Sequence, residues 1–217
     1  MYDYVVIGAG SAGCVVAARL SEDPAIRVLL LEAGGADERP ELRIPYAAWS
    51  LQGSDIDWGY RTEPQPQLCQ RQIGWPRGKV LGGTSAINAM VYMRGHRRIY
   101  DDWRAAGNVG WSYEDLLPLF RRSEQQERGA DEFHGHTGPL HVANQRDANP
   151  LSCAFVDAAR ELGYPLNDDF NGAEQEGFGF YQVTCNGGER WSAADAFLKP
   201  AMQRLNLTVA THAHATR

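Results

Sequence analysis

The chain has 217 residues, 43% of them hydrophobic and 22% charged, with 21 Lys plus Arg against 27 Asp plus Glu and a net charge of −6. That is enough chain for one large domain or two small ones with a real core. The mildly acidic balance gives no electrostatic reason to seek nucleic acid or an anionic membrane. Cys14, Cys69, Cys153 and Cys185 show no CxxC spacing, so they read as reduced thiols rather than a disulfide scaffold. No apolar run approaches the roughly 20 residues that span a bilayer, and with the first strand beginning almost at Met1 no signal peptide is expected. The expected location is the cytoplasm, with peripheral membrane association left open.

Tyr2–Ile7 is a β-branched and aromatic run ending in Gly8, and it reads as a buried strand. Ser11–Leu20 is small and apolar with helical spacing, stopped by Ser21-Glu-Asp-Pro24. Arg27–Glu32 is a second buried strand, so one right-handed β-α-β crossover closes within about 30 residues and implies a parallel sheet. Residues 34–76 lack a sustained period, and 76–95 form a second glycine-punctuated segment. The spacing predicts a helix over 111–127 with Leu116, Leu117, Leu119 and Phe120 as its apolar face. It predicts a loop over 129–138, a strand over 139–143, and a helix over 150–162 with Phe155, Val156, Ala159 and Leu162 inward. Residues 177–184 read as a strand, 193–204 as a helix and 207–210 as a last strand. The basic cluster Arg94-Gly-His-Arg-Arg98 reads as a solvated or phosphate-facing loop.

Gly8-Ala9-Gly10-Ser11-Ala12-Gly13 fits G-x-G-x-x-G between a strand and a helix, the context that makes this pattern informative. Gly8 permits the tight turn, Gly10 lets a pyrophosphate approach the backbone, and Gly13 lets the helix pack on the sheet. The helix N-terminus offers free N–H groups to phosphates, so Ser11 and Ala12 join the site. Glu32, with Ala33 beside it, ends the second strand where an acid can accept from ribose hydroxyls and repel a 2′-phosphate. This pattern fixes an ADP moiety but does not separate NAD from FAD.

Residues 77–95, RGKVLGGTSAINAMVYMRG, resemble the N-terminal signature of the glucose–methanol–choline (GMC) oxidoreductases, in particular their choline and alcohol dehydrogenase branch. The resemblance extends through Asp57-Trp58, Thr62-Glu-Pro64, His134-Gly135, Gly138-Pro-Leu140, Asn171-Gly172, Gly177-Phe-Gly179 and Gly188-Glu-Arg-Trp-Ser192. It implies FAD. Arg77, Val80, Leu81, Gly82, Gly83 and Thr84 would border the pyrophosphate and ribityl chain. Asn88, Ala89, Met90 and Val91 would lie along the isoalloxazine ring, with Trp58 and Tyr60 near the flavin edge. Some relatives attach FAD through a histidine where this chain has Ile87, so the FAD is expected to be non-covalent.

The resemblance further implies oxidation of a primary alcohol, choline or a medium-chain or aromatic alcohol, by hydride transfer to flavin N5. The catalytic histidine falls C-terminal to this chain, so no catalytic residue is assigned and the chain is expected to be truncated. The electron acceptor is not indicated. The fold expected is α/β: a Rossmann-like FAD-binding domain over 1–138, the beginning of an α+β substrate domain over 139–191, and a return to the FAD domain over 192–217. His134, His136 and His141 lack the further ligands of a metal site, and His212 and His214 read as solvent-facing. Three other readings stand beside this one: an inactive fragment or half of a split flavoprotein whose other half is supplied separately, a lyase or light-driven decarboxylase on the same flavin fold, and an NAD-dependent dehydrogenase that would leave 77–95 unexplained.

Overall fold

In the first compact unit a strand β1 (Tyr4–Ile7) runs into a helix α1 (Ser11–Leu20) and a parallel strand β2 (Val28–Leu31), with Val5 opposite Leu29. This is a computed structural model describing residues 1–216. A third parallel strand, Leu207–Ala210, lies on the far side of β2 with Leu29 opposite Thr208. The order is therefore β1, β2, then the strand from the distant end of the sequence. β2 is buried on alternate residues, whereas Tyr4, Val5 and Ile7 of β1 are exposed, against the expectation of a buried strand. The reason is position: β1 is an edge of the three strands, and a strand is buried only when its neighbours cover it.

α1 presents Cys14, Ala17 and Ala18 to Val28 and Leu30, and the same core takes in Leu81, Ala194, Leu198, Ala201 and Leu207. Small side chains on α1 let the helix approach closely. A second cluster of Leu42, Leu51, Ile56, Val80, Ala86 and Ile87 packs the irregular segment after β2. That segment has only short turns and a two-residue hairpin, Tyr60–Arg61 with Gly74–Trp75. The helix expected over 193–204 forms over 193–201, with a π-helical stretch, Ala194–Leu198, running into one α-turn, Lys199–Ala201. Pro200 lacks the N–H that would continue the ordinary ladder.

The compact units divide at Met90/Val91 and Gly188/Glu189, whereas the sequence boundaries lay at 138/139 and 191/192. Long-range pairing decides this. Val91 bridges to Val183, Ala143 bridges to Val183, and Glu124–Gln126 pairs in parallel with Leu140–Val142, so 91–138 folds with the residues that follow it.

In the second unit, helix Arg97–Ala105, which the periodicity did not indicate, is capped by His96. Helix Tyr113–Ser123 starts at a capping box of Ser112 and Asp115. Tyr100 gathers Trp103, Tyr113 and Phe120 between the two helices. Helix Pro150–Glu161 forms as expected, but of its four expected inward residues only Ala159 and the half-buried Val156 are covered. Phe155 is 66% exposed, and the C-capping Leu162 is 77% exposed. The strand expected over 177–184 reduces to isolated bridges at Phe178 and Val183.

Arg94 is not a solvated residue. Its guanidinium is buried, donating to Glu124 at 2.7 Å and to the Phe133 carbonyl at 2.8 Å. Glu124, with no exposed surface, also meets His134 Nδ1 at 3.0 Å and accepts from the Gly135 N–H. His134 Nε2 lies 2.9 Å from Asp169. Burial works against charge on this imidazole, but Asp169 and Glu124 outweigh it and raise its pKa to about 9. Among the described residues no cluster of potential metal ligands forms.

Because the folded pKa of His134 exceeds its ordinary value of about 6.5, its contribution is full below pH 6.5 and is lost as pH rises through about 9. The partly exposed Asp169 discounts the effect to on the order of 2 kcal/mol. Denaturant titrations at pH 6.5 and pH 9.5 are expected to show that loss in the wild type and a much smaller one in His134→Gln.

Candidate functional site

The C-terminal ends of β1 and β2 open into a cavity of about 530 Å³, the size and position at which open α/β sheets bind ligands. It is lined by Gly8, Gly10 and Ser11 of the glycine loop, by Glu32 and Ala33 at the end of β2, and by Trp58, Arg77, Gly83 and Thr84 of the later segments.

The glycines of the loop have different reasons. A Cβ on Gly13 would lie 1.9 Å from the Gly8 carbonyl oxygen, so helix and turn could not coexist. A Cβ on Gly10 would meet no protein atom within 4 Å, and Gly10 has an ordinary φ of −82°. Its missing side chain therefore serves the space in the cavity and not the packing of the protein. Gly10 is also the N-cap of α1, with no capping side chain and no acidic residue in the first turn. The first N–H groups and the positive end of the helix dipole are left for an anion.

Gly83 closes the site from the other segment. Its φ is +54° and an added Cβ would sit 2.6 Å from Gly10 Cα. Gly82 donates its N–H to the Ala9 carbonyl at 2.8 Å. The two glycine segments thus touch backbone to backbone. Beneath them Cys14 donates its thiol to the Ala9 carbonyl at 3.2 Å. Burial pushes that thiol to about 12, so it stays protonated.

Glu32 is buried, and its two oxygens are divided: one accepts from Ala9 N–H at 2.8 Å, the other from Gly34 N–H at 2.9 Å. Each oxygen retains lone pairs for further donors. The Trp58 ring stacks on Tyr60 at 5.7 Å, meets His214 edge-on at 5.2 Å, and carries Lys79 Nζ over its face at 5.1 Å. Asp57 fixes the Trp58 turn by accepting from the N–H groups of Gly53, Gly59 and Arg77. Burial resists charge on Asp57, yet these donors hold its carboxyl below the usual range.

Of the residues singled out in the sequence, Gly8, Gly10, Ser11, Glu32, Ala33, Trp58, Tyr60, Arg77, Gly83 and Thr84 surround one cavity. Val80 and Leu81 lie behind it in the two cores, and Gly82 is buried against Ala9. Ala12 faces outward on α1, and Asn88 and Ala89 are exposed beyond the turn Gly83–Ala86. Met90 is buried with φ +62°, and Val91 belongs to the second unit. Ile87 is fully buried in the second core of the first unit. Trp58 and Tyr60 stand at the end of the cavity that holds Glu32.

Sequence reading missed His214. The strand it was placed on ends at Ala210 and His212 has φ +54°, yet both histidines are exposed as expected. His214 also lines the open cavity, against Trp58. No local signal marks it.

The chain matches the family model described as GMC oxidoreductase over residues 2–217. It is 49% identical to an alcohol dehydrogenase [acceptor] of Pseudomonas putida, covering all of this chain and 40% of that protein. It is 49% identical to an oxygen-dependent choline dehydrogenase of Sinorhizobium fredii over 94% of this chain and 38% of the relative. It superposes on pyridoxine 4-oxidase from Mesorbium loti with a TM-score of 0.94 at 42% identity, covering 98% of this chain and 42% of the other. An FAD-dependent oxidoreductase from Chaetomium thermophilum, 30% identical, gives a TM-score of 0.87 over 96% of this chain and 38% of that one. The chain therefore spans about 40% of the length of the proteins it matches.

The two kinds of glycine are expected to separate on substitution. Gly83→Ala should lower the free energy of unfolding by on the order of 2–4 kcal/mol, through strain and a backbone clash. Gly10→Ala should cost no more than about 1 kcal/mol, since only the N-cap preference changes. Equilibrium denaturation of both variants checks this, and equal losses would contradict the assignment.

Proposed function

The chain belongs to the GMC oxidoreductase family, and from that premise we propose that its first unit binds FAD non-covalently, as part of an enzyme that oxidises a primary alcohol. The observation that carries this is Gly10: a glycine with ordinary φ whose added Cβ would meet nothing within 4 Å, at an uncapped helix N-terminus in a cavity closed by an acid. Such a wall suits a pyrophosphate, and Glu32 suits the ribose hydroxyls beyond it.

The residues divide the work along the ligand. Gly10, Ser11 and the first N–H groups of α1 receive the phosphates. Arg77, which also lines the cavity, adds positive charge. Glu32 accepts from the ribose while its bonds to Ala9 and Gly34 keep the glycine loop and the end of β2 in register. Trp58 and His214 supply flat apolar surface for the purine at this end. Gly83 and Thr84 lead the other half of the ligand toward Asn88 and Ala89. FAD, when bound, supplies the hydride acceptor. Asn88 and the adjacent backbone would border that ring, where fixed donors favour the charge that develops on reduction. Ile87, an aliphatic side chain turned into the core, can form no bond to the ring.

The alcohol dehydrogenase and choline dehydrogenase relatives point to a small alcohol as substrate. We assign no catalytic base to a residue of this chain.

The direct test is the visible spectrum of the purified chain after incubation with FAD and desalting. A flavin band retained by the protein and released into the supernatant by acid supports non-covalent binding. A folded chain that emerges colourless would refute it. Glu32→Gln places an amide NH₂ against a backbone donor, and it is expected to weaken ADP and FAD alike by about ten- to a hundred-fold in a titration.

A further inference from the structure

Among the described residues Arg190 is the largest fully buried side chain, 1% exposed. It lies far from the cavity residues in sequence, and the cofactor reading gives it no part. Its backbone N–H donates to the Arg43 carbonyl at 2.9 Å, which anchors it from behind. Its guanidinium spans the end of the turn Gly83–Ala86. Nη1 donates to the Ser85 carbonyl at 3.2 Å and to Asn88 Oδ1 at 2.8 Å, and Nη2 donates to the Asn88 carbonyl at 2.7 Å. Ser85 is held on its other side as well: its hydroxyl donates to the Gly82 carbonyl and accepts from the Ala193 N–H.

The geometry has a consequence for Asn88. Both groups facing its Oδ1, Arg190 Nη1 and the Met90 N–H at 3.0 Å, can only donate. The oxygen of the amide must therefore face them, and the orientation of the amide is decided by chemistry. Its NH₂ end is turned away on an exposed residue and makes no hydrogen bond among the described residues. A charged donor on the oxygen also polarises the amide and strengthens its N–H groups as donors. Lysine could not do this, since one ammonium cannot reach the three acceptors with the planar fork of an arginine.

We propose that Arg190 is a positioning residue that fixes the segment Ser85–Asn88 and presents the Asn88 amide as a donor to the flavin half of the cofactor. This rests on the reading of the first unit as an FAD site. The residues that Arg190 holds, Ser85 and Asn88, are not among those lining the cavity, so it is expected to act on the flavin half of the ligand and not on the ADP half.

The test uses the full 217-residue chain with Arg190→Met and Arg190→Lys, titrated separately with ADP and with FAD. The expected result is an FAD affinity at least tenfold lower in both variants, with ADP affinity within twofold of wild type. The band shape of bound FAD should move toward that of free flavin. Hydrogen exchange of the ligand-free chain should show protection lost over 85–90 and kept over 8–20. Retained ADP binding certifies the fold, and should Arg190→Met fail to fold, Arg190→Lys carries the comparison. Equal losses for ADP and FAD, or an unchanged FAD affinity and spectrum, would overturn the proposal while leaving the FAD site intact. A wild-type chain that binds ADP but gains nothing from the flavin half also overturns it. One that binds neither ligand overturns the FAD reading first, and this with it.

Discussion

Two stretches of backbone, Gly8–Gly13 and Gly82–Thr84, lie closer together than any side chain would permit, and the rest of the first unit is arranged around that contact. An added Cβ at Gly83 would fall within 2.6 Å of Gly10, and the Gly82 N–H bonds the Ala9 carbonyl. The contact does two things at once. It satisfies backbone groups that would otherwise be buried without partners, and it brings a second wall against the helix N-terminus. Without it α1 would still offer its N–H groups, but to open solvent.

Holding that contact takes side chains from three parts of the sequence. Glu32 ties the end of β2 to the glycine loop through Ala9. Arg190 and the Ala193 N–H hold the turn after Gly83. Behind them Asp195 caps the turn at Ser192 and meets Lys199 at 2.6 Å, while Lys199 also meets Asp37 at 2.7 Å. Burial resists the charge on Asp195, yet Lys199 and Ser192 keep its carboxyl below the usual range. On Asp37 the balance reverses, and burial raises the carboxyl despite Lys199. One lysine shared between two carboxylates thus stabilises them unequally, and the better satisfied one belongs to the segment that supports the glycine contact.

The second unit solves a different problem by a related means. Its strands are short and its helices expose much apolar surface, so no single sheet organises it. Instead Arg94, Glu124 and His134 form a buried group joining loops, with Asp169 at its edge. Removing one member would leave an uncompensated buried charge, which costs far more than the pair itself contributes.

The amino-acid sequence by itself determined the β1–α1–β2 crossover and the glycine loop with its acid, because each is a local pattern in which spacing dictates geometry, while the cofactor class followed from the resemblance of residues 77–95 to a known family. α1 falls on the residues expected, and ten of the residues singled out for the site meet in one cavity. Only the tertiary structure decided which strand completes the sheet beside β2, that Arg94 is buried, that His214 lines the cavity, and that Arg190 reaches Asn88. It also decided where the units part, since 91–138 pairs with residues that come later in the chain. The physical reason is common to all of these. A hydrogen bond or a ring contact between residues tens to well over a hundred positions apart leaves no period in the sequence, and a buried arginine is written with the same letter as a solvated one.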